Sequence, residues 1–145
     1  MSISAYLYFD GECEAAFTLY RALFGGDFLS IQRFADAPPE YNLAGEGADK
    51  IMHMSLPVGN TVLMGADVAE GMGQKPIAGS NFSLSFSPAT RDQADQVFAG
   101  LKDGGTEMMA MQDTFWGSYF GMVRDRFGIQ WLINFNLEDP NHPGA

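Results

Sequence analysis

His53, Arg124, Tyr6 and Tyr8 are the side chains of this sequence best suited to chemistry. An imidazole can take and return a proton near neutral pH. His53 stands on the strand row of Ile51 and Ser55, opposite Met52, Met54 and Leu56. The other histidine, His142, lies in a Pro-flanked tail. No carboxylate is placed by the pattern to orient His53, so two readings stand. It is a general base, or it is a hydrogen-bonded structural histidine at a contact between halves or subunits. Arg124 could grip an anionic ligand in bidentate fashion, or pair with Asp125 or another acid. Tyr6 and Tyr8 could donate to a ligand or stack on it, or fill the space they face. Gln130 and Asn81 offer amides, Met122 an adaptable apolar wall, and Trp116 a ring at the rim of a site. Cys13 lies one residue from a helix start, where a thiol can be activated, but Glu12 and Glu14 flank it and oppose that. Paired carboxylates, a Ser/His/Asp set and a phosphate loop are not recognisable, so no catalytic set is complete.

These residues need strands to carry them. Ile3–Phe9 alternates Leu7 and Phe9 against Tyr6 and Tyr8, the period of a strand with one packed face. Ala16, Phe17, Tyr20, Leu23 and Phe24 then make a helical stripe, stopped by Gly25-Gly26. Phe28–Ala35, Ile51–Leu56 and Thr61–Asp67 read as strands, with a long loop over Asp36–Asp49. Ala69–Ser80 is Gly-rich and reads as a linker. The order then begins again. Phe82, Leu84 and Phe86 alternate with Asn81, Ser83 and Ser85, and Thr90 is a plausible N-cap. Ala94, Val97, Phe98 and Leu101 form the second helical stripe before Gly104-Gly105. Thr106–Thr114, Gly117–Arg124 and Ile129–Asn136 complete the set, with Trp131 assigned to the core.

The chain is therefore a doubled βαβββ unit, an α+β fold. The first module runs over about residues 3–68 and the second over about 81–136, with a tail at 137–145, in one domain. Each module puts its helix on one sheet face and leaves the other open. The expected result is a cup-shaped mixed sheet with helices outside, lined by Tyr6, Tyr8, His53, Ser55, Asn81, Ser83, Met122, Arg124, Gln130 and Asn134.

Composition narrows the partners. The chain has 145 residues and a net charge of −10, with only eight Lys and Arg. Nucleic acid and anionic membrane surfaces demand clustered cations, so neither is expected. One cysteine allows no internal disulfide, which suits a reducing cytoplasm. No secretion signal or membrane span is expected from the hydropathy.

These residues resemble the vicinal oxygen chelate superfamily of glyoxalases, extradiol dioxygenases and bleomycin-resistance proteins. Within it the chain is similar to the PhnB-like branch, often labelled 3-demethylubiquinone-9 3-methyltransferase. The resemblance rests on Tyr6-Leu7-Tyr8-Phe9-Asp10-Gly11, Phe24-Gly25-Gly26, Ile51-Met52-His53-Met54, Val62-Leu63-Met64-Gly65-Ala66-Asp67 and Gly121-Met122-Val123-Arg124-Asp125-Arg126-Phe127-Gly128. Metal-using members carry ligands, usually two His and two Glu, on the open face of each module's first and last strands. Those positions fall at Ser4 (or Tyr6), Asn81, Leu63 and Leu132, a poor set for a divalent ion. The expectation is a homodimeric, metal-independent small-molecule binder with no cofactor. The alternatives are an enzyme using His53 or a tyrosine as acid or base, an enzyme with an unrecognised metal set, and a purely structural dimeric module. Methyl transfer is not expected, because the chain lacks a Gly-rich turn of a parallel α/β sheet.

Overall fold

A computed structural model describes residues 1–38, 40, 47–69 and 73–137. His142, half of the expected loop and all of the expected tail but Leu137 lie outside the described residues. Two compact units divide the chain, Met1–Ile77 and Ala78–Ala145. Each is a βαβββ module, so the expected repeat is present.

In the first unit β1 (Tyr6–Phe9) leads to α1 (Cys13–Phe24), then β2 (Ser30–Arg33), β3 (Ile51–Val58) and β4 (Thr61–Asp67). The sheet order is β1-β4-β3-β2, with β1 parallel to β4 and the other pairs antiparallel. Helix α1 buries Cys13, Ala16, Phe17 and Tyr20 against this sheet. Gly65 sits directly under Phe17, where a Cβ would come within 2.6 Å of the ring. The face of Gly65, and of its partners Leu7 and Met54, is thus the helix face. Tyr6, Tyr8, His53, Ser55 and Met64 occupy the opposite, open face.

In the second unit β5 (Leu84–Phe86) leads to α2 (Arg91–Lys102), then β6 (Thr106–Asp113), β7 (Ser118–Arg124) and β8 (Gln130–Asn136). The order β5-β8-β7-β6 repeats that of the first sheet. Helix α2 buries Ala94, Val97, Phe98 and Leu101, the expected stripe, and the Thr90 side chain accepts from the Gln93 amide as its N-cap. Trp131 is in the core as expected, its indole donating to buried Asp125.

Several boundaries move. The first strand begins at Tyr6 rather than Ile3, because Ile3 finds nothing to pack on and is 98% exposed. Phe28–Ala35 shortens to β2, with a 3-10 turn over Phe34–Asp36 burying Phe34. β3 runs on through Pro57 to Val58. Among the described residues, no helix is long and apolar enough to cross a membrane.

Candidate functional site

The open face of the first sheet gathers three of the expected side chains. Leu7 and Phe9 are spent on the helix, which turns Tyr6 and Tyr8 outward. Their rings lie 5.1 Å apart at 35°, and Tyr6 lies 5.6 Å from the His53 ring. The Tyr6 hydroxyl is 3.0 Å from His53 Nδ1. Burial, then the neighbouring Tyr8 and Cys13, push the Tyr6 phenol above its ordinary range. The phenol therefore keeps its proton and can donate it to Nδ1. Where the phenol donates, Nε2 carries the imidazole proton and is a donor toward a ligand; where Nδ1–H donates to the phenol oxygen, Nε2 is the acceptor. No carboxylate takes part, so the orienting group for His53 is a phenol. Tyr8 is 57% exposed, with its ring against Tyr6.

The second sheet's open face is ordered in rows across its strands. Thr106, Arg124 and Gln130 pair in one row. Met109, Met122, Leu132 and Ser85 form the next. Gln112, Phe120 and Asn134 form the third, and Trp116 packs edge-on to Phe120 at 5.9 Å. Arg124 donates from Nη2 to Gln130 Oε1 at 2.9 Å, and Gln130 donates from Nε2 to the Phe82 carbonyl at 2.8 Å. Gly105 lies against the Arg124 carbonyl with no room for a Cβ, which fixes the backbone beneath the guanidinium. Arg124 thus pairs with an amide where an ion pair with Asp125 was one expectation. The Asp125 carboxylate instead accepts from Phe127 N, Ile129 N and the Trp131 indole.

Asn81 is a correction. It precedes β5, which spans only Leu84–Phe86, and is exposed outside the strand's open row. The strand fails there because its partner β8 starts at Gln130, and Gln130's amide takes the Phe82 carbonyl instead. Thr106, Met109, Leu132 and Phe120 join the face without having been singled out as ligand contacts. Their signal was blurred on β6, where irregularities at Glu107/Met109 and Met109/Gln112 break the alternation.

A divalent metal does not fit these faces. Leu63 is not on the open row at all. It shares the helix face with Gly65, and the open row of β4 beside Tyr6 and Tyr8 is Met64 and Ala66. Leu132 does lie on its open row, opposite Ser85. Ser4 precedes β1 and is exposed. Among the described residues the open rows supply one imidazole, hydroxyls, amides and thioethers, with no carboxylate or thiolate to hold a divalent cation. Among the described residues no three His, Cys, Asp or Glu come together. Cys13 and Asp67 serve the helix side, where Asp67 accepts from the Cys13 and Ile51 amides.

Comparison with known proteins agrees with this architecture. A family model described as 3-demethylubiquinone-9 3-methyltransferase matches residues 1–134. The chain is 28% identical to protein YjdN of Escherichia coli, over 97% of this chain and 99% of that one. It is similar to the crystal structure of protein PA1353 from Pseudomonas aeruginosa, with a TM-score of 0.81 and 34% identity over 94% and 98% of the two chains. A putative 3-demethylubiquinone-9 3-methyltransferase, PhnB protein, from Bacillus cereus shares the fold at TM-score 0.75 and 22% identity, over 93% and 99%. So does a glyoxalase/bleomycin resistance protein/dioxygenase family enzyme from Burkholderia phytofirmans, at TM-score 0.60 and 18% identity, over 92% and 98%.

Proposed function

We propose, for a chain that belongs to the 3-demethylubiquinone-9 3-methyltransferase family, a role other than the one in that description: metal-independent binding of a small molecule on an open sheet face. The chain resembles the vicinal oxygen chelate superfamily, PhnB-like branch, in sequence and fold. The carrying observation is the Tyr6–His53–Tyr8 group on the first sheet. Aromatic faces and one imidazole held by a phenol stand there, on a row without carboxylates. Such a mixture of rings and a few placed polar groups is what a small-molecule site requires.

Methyl transfer has less support. A nucleotide-borne methyl donor sits at a Gly-rich strand-to-helix turn of a parallel sheet. Here each sheet has a single parallel pair, and its strand-to-helix connections are Asp10-Gly11-Glu12 and Ser87–Thr90. A second reading, acid–base catalysis by His53, is favoured by the Tyr6 contact alone.

The test is a thermal-shift screen of a chemically diverse library, run with and without a chelator beside metal analysis of the purified protein. A ligand at about 100 times its Kd should add about 2.7 kcal/mol of stability, equally with chelator present. No shift across the library, or stoichiometric metal with chelator-sensitive glyoxalase or dioxygenase turnover, would overturn the reading.

A further inference from the structure

Arg124 is held unlike the chain's paired cations. Arg33 pairs with Glu14, Lys75 with Asp10, Arg91 with Asp113 and Lys102 with Glu107. Arg124 has only the neutral Gln130 amide, and among the described residues no carboxylate pairs with it. An amide brace fixes a guanidinium without neutralising it. Among the described residues one of the five N–H donors is seen to be spent, on Gln130. Gln130 is buried and tied to the Phe82 carbonyl, so the brace itself cannot swing. On a chain of net charge −10, a positive group left open on a sheet face is the feature an anion would seek.

The next row supplies the rest of a ligand's shape. Met109, Met122 and Leu132 lie side by side on three strands, none of them fully buried, and Met109 is 39% exposed. Rows on a strand are about 6.6 Å apart, and three strands span about 10 Å. A cationic point beside an apolar strip of that size matches a molecule with one charged end and an apolar body of about eight carbons. Charge decides the head group. A phosphomonoester brings a charge of about −1.5 to −2, more than one guanidinium balances in an acidic protein. A carboxylate brings one.

We propose that the open face of the second sheet binds an organic acid, its carboxylate on Arg124 and its apolar body across Met109, Met122 and Leu132. This face belongs to the second unit, whereas the reading above is carried by Tyr6, His53 and Tyr8 of the first, so the assignment goes beyond that reading and stands on its own residues.

The experiment is a calorimetric and methionine-methyl NMR titration with octanoate, octanamide, octyl phosphate and acetate. Octanoate should bind saturably and move the Met109 and Met122 methyl signals. Octanamide, octyl phosphate and acetate should each bind at least tenfold more weakly. Arg124→Gln should weaken octanoate at least tenfold and leave octanamide unchanged, as expected for loss of a charge-assisted contact. Equal binding of octanoate and octanamide, tighter binding of octyl phosphate or acetate, or an indifferent Arg124→Gln variant would overturn the organic-acid assignment while leaving ligand binding standing. No binding by any of the four would also overturn it, and the library screen then decides whether the broader reading survives. If Arg124→Gln does not fold, the comparison of the four probes on the unmodified protein decides alone.

Discussion

Tyr6 and His53 illustrate what one hydroxyl can do. The Tyr6 hydroxyl lies 3.0 Å from Nδ1, and whether it donates or accepts there decides which imidazole nitrogen offers a proton to a ligand. Tyr6→Phe keeps the ring contacts and removes this control. Long-range nitrogen–proton spectra of His53 should move toward the other tautomer, and a ligand of this face should bind several-fold more weakly. An unchanged His53 spectrum would remove the tautomer argument. Cys13 makes the opposite case, a reactive type made inert by place. Burial first, then the charges of Asp67 and Glu14, push its thiol far up, and its amide is bonded to Asp67. Iodoacetamide at mildly alkaline pH should therefore label Cys13 only as fast as the protein opens. Rapid labelling of the folded chain would show the burial to be wrong. The flanking Glu12 and Glu14 already argued this from sequence, but the dominant cause, the packing of α1, has no local signal.

Two carboxylates act at the scale of elements. Asp125 closes the loop between β7 and β8 by accepting from two backbone amides and an indole. Asp125→Ala leaves these donors without their acceptor and should cost about 3 kcal/mol, read as a lower denaturant midpoint with an unchanged slope. Glu14 ties α1 to β2 through Arg33 at 2.6 Å. The hydrogen bond to Arg33 holds the Glu14 carboxyl below the usual carboxylate range, against a smaller opposing effect of burial. A carboxyl depressed in the folded state stabilises above its unfolded pKa and loses that contribution as pH falls through its folded pKa. Glu14→Gln should thus cost up to about 1 kcal/mol at neutral pH, the pair being exposed, and the gap to the unmodified protein should close in acid. A gap independent of pH would mean packing and not charge. The element scale is also where the sequence misled. Helical stripes, paired glycines and the Thr90 cap were legible because each is a local pattern. Row assignment on β4 was not. Val58 pairs with Thr61 across two residues, whereas Arg124 pairs with Gln130 across five. Giving Leu63 and Leu132 equivalent positions ignores this odd difference, and an odd difference exchanges the two faces of a strand. Leu63 was thereby given the open row that belongs to Met64. Asn81 failed for a related reason, since alternation persists in sequence beyond the point where a partner strand exists.

At the scale of the whole molecule the outer strands of the sheets govern association. Each sheet ends in two such strands, β1 and β2 in the first unit and β5 and β6 in the second. β6 is the longest of the four at eight residues, and all of it but Met111 is exposed. It presents Met108 and Met109 to solvent at 45% and 39%. Long apolar edges recruit other strands unless something guards them. Two irregularities in β6 are guards of that kind, since they twist an edge away from flat pairing. No Lys, Arg or Pro stands among Thr106–Asp113, however, and its Glu107 is already engaged by Lys102. We therefore propose a homodimer in which the β6 edge meets a second copy of the chain. Light scattering should give twice the 15.8 kDa chain mass. A charge of −10 on each chain opposes pairing, so added salt should tighten the dimer by screening that repulsion. Met108→Lys puts a cation on the edge and should favour the monomer if β6 is the contact. A monomeric mass at every concentration and salt level would exclude the dimer, and an unaffected dimer in Met108→Lys would move the contact to another edge.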